Sequence, residues 1–354
     1  MKRLPAVGSG IVLSLLMVLP FEPARHVAAQ APAKAVSSYE SFGTVERLDP
    51  RLDAIVPKDA KLEKLAEGFR WAEGPVWISN PGYLLFSDVE ANTIYRWGPG
   101  TYGVRPFLIG SGYTGTAERG GEPGSNGLTV DAKGNLVIMQ HGDRRVVRWE
   151  FNQFRPIAEK YEGKRFNSPN DGVFKSNGDF YFTDPPYGLE RGVDDPAREL
   201  DFQGVYRVSV GDGQVTLLTK ELSRPNGIAF SPDEKTLYVA NSDPARAIWM
   251  AFPVKQDGTL GEGKVFADVT SQVGKKKGLP DGLKVDQAGN LFATGPGGVL
   301  VFAPDGTQLG SIDPGEATAN CGWGDDGSTL YVTADMYIGR IKLNTKGAGF
   351  AAPK

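Results

Sequence analysis

The sequence predicts an all-β protein, a six-bladed β-propeller closed by an N-terminal strand, and three observations predict it. One motif returns six times, a carboxylate or amide, a glycine and a short apolar strand: Glu73-Gly74-Pro75-Val76-Trp77, Asn126-Gly127-Leu128, Asn170-Asp171-Gly172-Val173, Asn226-Gly227-Ile228, Asp281-Gly282-Leu283 and, more loosely, Asn320-Cys321-Gly322-Trp323. The glycines of the motif recur every 40 to 55 residues, the length of a four-stranded blade rather than of a helical repeat. Within repeats, apolar and polar residues alternate with period two, as in Gly134-Asn135-Leu136-Val137-Ile138-Met139 and Lys235-Thr236-Leu237-Tyr238-Val239-Ala240.

Taken in order, Met1-Lys2-Arg3, an apolar run from Ile11 to Leu19 and small residues at Val27-Ala28-Ala29 read as a secretory signal over residues 1–29. The run is short for a membrane span, so the expectation is a periplasmic or secreted protein with no membrane attachment after cleavage; an uncleaved anchor is the alternative. Residues 30–44 read as a flexible leader, 45–345 as the propeller and 346–354 as a tail. The turns between first and second strands are Asp131-Ala132-Lys133-Gly134, Lys175-Ser176-Asn177-Gly178, Ser231-Pro232-Asp233-Glu234 and Asp286-Gln287-Ala288-Gly289. Such residues supply the positive or preset φ that a reversal needs. Third and fourth strands follow, as Thr93-Ile94-Tyr95-Arg96-Trp97 and Pro106-Phe107-Leu108-Ile109 in the first blade.

The last repeat ends after Gly339-Arg340-Ile341-Lys342-Leu343 without a fourth strand, and Lys61-Leu62-Glu63-Lys64-Leu65-Ala66 belongs to no blade. An open blade would expose an unpaired edge. The upstream segment is therefore expected to complete the sixth blade.

With 354 residues, 40% of them hydrophobic, the chain can bury a sizeable core, and the continuous repeat argues for one domain. A net charge of −3 supplies no basic field for nucleic acid. Cys321, the single cysteine, excludes an internal disulfide.

In a propeller the innermost strand lines the central channel and the next returns beside it, so first-strand starts and second-strand ends share one face. Glu73, Asn126, Asn170, Asp171, Asn226, Asp281 and Asn320 belong to the first set, and Asp88, His141, Asp184, Asp243 and Asp335 to the second. Long insertions, Ser111 to Gly124 and Pro185 to Gln203, emerge at the same mouth as a lid or rim. Any one Asn-Gly or Asp-Gly is a turn entering a strand; the accumulation at one equivalent point argues for a site. Hard oxygen donors converging on a channel suit calcium or magnesium, whereas one cysteine and two histidines disfavour a zinc thiolate centre. His141 is read either as a surface histidine in a strand-end turn or as a neutral donor or base at the mouth. Asp184-Pro185-Pro186-Tyr187-Gly188 is a rigid turn able to aim Tyr187 into the pocket, and Asp88, Asp243 and Asp335 read as caps on backbone amides.

Glu73-Gly74-Pro75-Val76-Trp77, Asn170-Asp171-Gly172, Pro225-Asn226-Gly227 and Pro280-Asp281-Gly282 resemble the SMP-30/gluconolactonase/LRE family, over about residues 45 to 343. Gly124-Ser125-Asn126-Gly127-Leu128, His141-Gly142-Asp143-Arg144-Arg145-Val146 and Phe182-Thr183-Asp184-Pro185-Pro186-Tyr187-Gly188 are similar to its bacterial gluconolactonase branch. The resemblance implies a six-bladed propeller that hydrolyses a small-molecule sugar lactone with a divalent metal. It implies Glu73, Asn226 and Asp281 as metal ligands, Asp281 also as the catalytic acid/base, and Asn170 as a substrate-facing residue that is a further candidate for the metal shell. Calcium is the favoured ion, with Mg2+, Mn2+ or Zn2+ as alternatives. Where animal members have an arginine two residues before that asparagine, this chain has Ser168. Their substrate-facing acid in the following loop has no clear match either. Sugar recognition is therefore expected to rest on Asn126, His141 and Tyr187.

Two rivals stand beside a lactonase: a related propeller esterase or phosphotriesterase, which fold and ligands cannot separate from it, and a non-catalytic periplasmic binding propeller. A Ser-His-Asp hydrolase lacks its Gly-x-Ser-x-Gly elbow. A phosphate-binding loop is disfavoured because Gly120-Gly121-Glu122-Pro123-Gly124 has no following lysine and helix.

Overall fold

The computed structural model describes residues 39–99 and 103–349. The expected signal, most of the expected leader and the last five residues of the tail lie outside the described residues. Six antiparallel blades follow one another along the chain. The first is Ala72–Ile78, Tyr83–Asp88, Thr93–Trp97 and Val104–Ile109; the second is Ser125–Val130, Leu136–Gln140, Arg145–Glu150 and Gln153–Ala158. Gly172–Phe174, Phe180–Asp184, Gly204–Val208 and Val215–Thr219 make the third, and Pro225–Phe230, Thr236–Asp243, Arg246–Pro253 and Lys264–Asp268 the fourth. The fifth runs Leu283–Val285, Leu291–Gly295, Gly298–Phe302 and Gln308–Asp313. The innermost strand of each blade packs on that of the next, and Thr318–Gly324 packs on Ala72–Ile78 to close the ring.

Closure is made in the sixth blade, where Thr318–Gly324, Thr329–Ala334 and Tyr337–Lys342 are completed by Leu62–Glu67 from the N-terminal side. The register sets Ile338 opposite Ala66 and Arg340 opposite Glu63. The inward members Leu62, Leu65 and Ala66 are buried, while Glu63 accepts a hydrogen bond from Arg340 Nε at 2.8 Å. Leu62 joins the core between the fifth and sixth blades and Leu65 and Ala66 that between the sixth and first, so both faces of the strand are covered.

The chain departs from the expected leader at residues 40–44. Glu40–Phe42 pairs with Leu62–Glu67, and Thr44–Arg47 pairs with Gln308–Asp313, so blades five and six each carry a fifth strand. The reason is the edges of those two blades: their unpaired backbone groups take up any extended segment that reaches them. Gly43, at φ +70°, makes the turn between the two short strands. Arg47 Nη1 then bonds Asp53 at 2.8 Å, and Glu46 pairs with Lys276 at 2.9 Å. The start of the expected tail is tethered too, with Gly347 N donating to Gly327 O and Ala348 N to Val285 O, both at 2.9 Å.

The core lies between blades rather than at the axis. Leu85, Ile94, Leu128 and Ile138 pack between the first and second blades, and Trp77 stacks on Tyr331 at 5.4 Å between the first and sixth. Helical structure among the described residues is confined to Leu52–Ile55 and two single turns.

Candidate active site

The motif glycines do more than turn the chain. A Cβ on Gly227 would overlap the carbonyl oxygen of Asp281 in the next blade, and one on Gly74, which also has φ +51°, would overlap that of Asn126. These positions must be glycine because neighbouring inner strands touch backbone to backbone there. The register also slips between Glu73 and Val76, between Ser125 and Leu128, and between Pro225 and Ile228. Such bulges re-aim side chains; Asn126 and Asn226 lie inside theirs, and Glu73 is the last paired residue before its own.

Second-strand hydroxyls hold the result in place across blades. Ser87 Oγ donates to Asn126 O at 2.8 Å, Thr183 Oγ1 to Asn226 O at 2.7 Å, and Thr294 Oγ1 to Ala319 O at 3.0 Å. Gly127 N donates to Asn170 O at 2.7 Å. Each site residue is therefore positioned by the blade beside it as well as by its own.

Glu73, Asn126, Asn170, Tyr187, Asn226 and Asp281 line one cavity of about 440 Å³, within the usual range for small-molecule sites. Glu73 Oε2 accepts from Gly74 N at 2.7 Å and from Asn320 Nδ2 at 3.2 Å. The side-chain oxygens of Asn126, Asn170 and Asn226 are buried and have no hydrogen-bond partner. An unsatisfied buried acceptor is costly, and three in one cavity are a set waiting for a donor or a cation.

Charge says the same. Burial pushes the Asp281 carboxyl well above the ordinary range, and the neighbouring Glu73, Glu122 and Asp171 push it further. Glu73 is raised by burial first and then by Asp171 and Glu122, against the two hydrogen bonds it accepts. Asp171 is raised by burial, with Lys284 3.9 Å from its Oδ2 as partial compensation. Among the described residues no three His, Cys, Asp or Glu side chains cluster as a metal centre. The available donors are instead two carboxylates and neutral amide oxygens, the hard oxygen set that suits a divalent cation. Glu73, Asn170, Asn226 and Asp281 fit such an ion, and Asn126 shares their condition.

This crowding gives a pH signature. A carboxyl whose folded-state pKa is raised binds its proton more tightly when folded, so its contribution to stability is lost as pH rises above its unfolded value. Chelated protein is expected to melt at progressively lower temperature as pH is raised above the ordinary carboxylate range, and added calcium should flatten that slope. A thermal melt series with and without calcium checks it; identical slopes would remove the electrostatic argument for a cation.

His141 does not line the cavity. It is fully buried, with Nε2 3.4 Å from Asn170 Nδ2 and Nδ1 3.0 Å from Glu122 Oε2, the latter off the hydrogen-bond line. Using the amide nitrogen of Asn170 in this way leaves its oxygen as the free end. The expected substrate contact or surface histidine is thus a supporting residue behind the wall, since both its partners come from other loops. Tyr187 does face the cavity; burial pushes its phenol up against the pull of its hydrogen bond with Ser242, so it is a donor. Ser168 accepts from Gly188 N at 2.8 Å and donates to Pro185 O at 2.6 Å, shaping the turn that carries Tyr187. Asp88 and Asp184 cap backbone amides: Asp88 accepts from Arg70 N and Trp71 N, Asp184 from Asn167 N and Ser168 N.

Sequence reasoning missed Glu122, Arg224, Lys276 and the apolar wall of Trp71, Val273 and Leu279. Trp71 and Arg224 carried a signal, standing two residues before Glu73 and Asn226. The rest come from irregular segments without periodicity.

The model of the SMP-30/gluconolactonase/LRE-like region matches residues 71–335, which include every cavity residue predicted above. The chain belongs to this family. A gluconolactonase of Zymomonas mobilis is 40% identical over 327 residues, 90% of this chain and 91% of that protein. A gluconolactonase structure from Xanthomonas campestris superposes with a TM-score of 0.75 at 32% identity, covering 88% of this chain and 98% of the other. A regucalcin of Xenopus laevis is 26% identical over 76% of this chain and 85% of its own length.

Proposed function

We propose that this family member opens sugar lactones such as glucono-1,5-lactone to the aldonic acid, with a divalent cation, calcium favoured, held by Glu73, Asn170, Asn226 and Asp281. That the chain is a lactone hydrolase rests on its family and on its 40% identity to a gluconolactonase over nearly the whole of both chains. The observation that carries the cation is the convergence of partnerless buried amide oxygens with mutually repelling carboxylates in one cavity. A regucalcin among the relatives agrees with it.

When bound, the cation would polarise the lactone carbonyl as a Lewis acid. The chain's own residues supply the remainder. Asp281 takes a proton from the attacking water as the new C–O bond forms, and returns it to the ring oxygen as the acyl C–O bond breaks. Tyr187 donates toward the substrate, and the bulges hold Asn126 and Asn226 in the same cavity. The apolar wall of Trp71, Val273 and Leu279 narrows the access of bulk water.

Acid release from a panel of aldonolactones, measured before chelation, after it and with calcium restored, tests this reading. Lactone-selective release that is lost with chelator and restored by calcium is expected. Metal-loaded, folded protein releasing acid no faster than the spontaneous rate would sink it, in favour of another ester or a binding role.

A further inference from the structure

The cavity contains a third acid that the mechanism does not use. Glu122 lines it from the insertion before the second blade, with its side chain about one-third exposed. It belongs to none of the repeating motifs. The insertion that carries it is nevertheless fixed at several points. Asn92 Oδ1 accepts from Gly112 N at 2.8 Å and Tyr113 N at 3.1 Å, and Thr114 Oγ1 donates to Asp143 at 2.7 Å. Arg119 reaches the carbonyls of both Gly142 and Gly188, tying this insertion to the turn that carries Tyr187. Finally His141, wholly buried, sets Nδ1 3.0 Å from Glu122 Oε2. A carboxylate carried on a backbone tied down in this way has less freedom to lose when substrate arrives, which favours a selective polar contact.

We infer that Glu122 is a specificity-determining residue, accepting hydrogen bonds from hydroxyl groups on the lactone ring, so that the enzyme selects polyhydroxylated lactones over unsubstituted ones. The inference deepens the lactonase reading and rests on it. A carboxylate is acceptor-only and has lone pairs for two hydroxyls at once, and its charge strengthens each bond. An unsubstituted lactone would leave that carboxylate unsatisfied inside the cavity, the situation in which discrimination becomes large. The same charge disfavours lactones carrying an anionic group. His141 stands behind both, with Nε2 against the Asn170 amide and Nδ1 beside the Glu122 carboxylate.

The test compares kcat/KM for glucono-1,5-lactone with that for δ-valerolactone at saturating calcium, in the wild type and in Glu122→Ala and Glu122→Gln. The ratio of the two constants cancels any change in cation affinity caused by removing a nearby charge. The ratio is expected to fall at least tenfold in Glu122→Ala, chiefly through KM for the hydroxylated substrate, and by less in Glu122→Gln, which keeps one acceptor. A wild type that opens both lactones with a ratio unmoved by Glu122→Ala overturns this inference alone. A folded, calcium-loaded wild type that opens neither overturns the lactonase reading with it.

Discussion

Asp281→Asn is expected to keep the fold and lose about 10²–10⁴-fold in turnover, the range a positioned acid/base supplies. Asparagine has the size of aspartate and can still offer one oxygen, but it cannot take water's proton. The fold should not suffer, because Asp281 is a buried carboxyl repelled by Glu73, Glu122 and Asp171; losing the charge relieves the chelated protein. Calcium titration separates lost proton transfer from lost ion binding, since turnover should stay low at saturating calcium. His141→Ala is expected to lose roughly 10–100-fold, as groups that orient another site residue do. Near-normal turnover in Asp281→Asn, or a deeper loss in His141→Ala, would transfer the acid/base role elsewhere.

The second large effect concerns closure. Deleting residues through Ala66 is expected to abolish cooperative melting of the whole propeller. Leu62 and Leu65 are buried, and about 1.5–3 kcal/mol for each leucine sums to roughly 3–6 kcal/mol, a large part of the ~5–15 kcal/mol that stabilises an ordinary domain. The deletion also removes the partner of Tyr337–Lys342 and opens the contact between Thr318–Gly324 and Ala72–Ile78. Circular dichroism melts of the full and truncated chains check this. An unchanged transition in the truncated protein would mean that blade six closes without Leu62–Glu67.

The parts of the molecule legible in the sequence are those where a local pattern and a global requirement coincide. Motif glycines are legible because two inner strands meet backbone to backbone, which no other residue allows at Gly227. Lys61 to Ala66 is legible because a strand-length segment outside every blade answers a missing strand. Glu40–Phe42 and Thr44–Arg47 were not, since an edge strand exposed on one side needs no apolar alternation, and Glu40, Ser41, Thr44 and Glu46 are exposed. The site divides in the same way. Glu73, Asn126, Asn170, Asn226 and Asp281 share one repeat position, so the period collects them. Glu122 enters from an insertion whose course depends on contacts such as Arg119 to Gly188, far apart in sequence. His141 could be seen as chemically able but not as buried, because Asn170 and Glu122 reach it only in the folded ring.

Glu73, the first acid of the site, is held by Asn320 of the last blade, a hydrogen bond that spans 247 residues. During synthesis Glu73 is made early and waits for nearly the whole chain before its partner exists. No growing intermediate that lacks the final repeat can set Glu73 in its finished orientation, whatever earlier blades have folded. Maturity of the catalytic centre is thus a report on completeness of the polypeptide, and a prematurely terminated product would be inert rather than a partial enzyme.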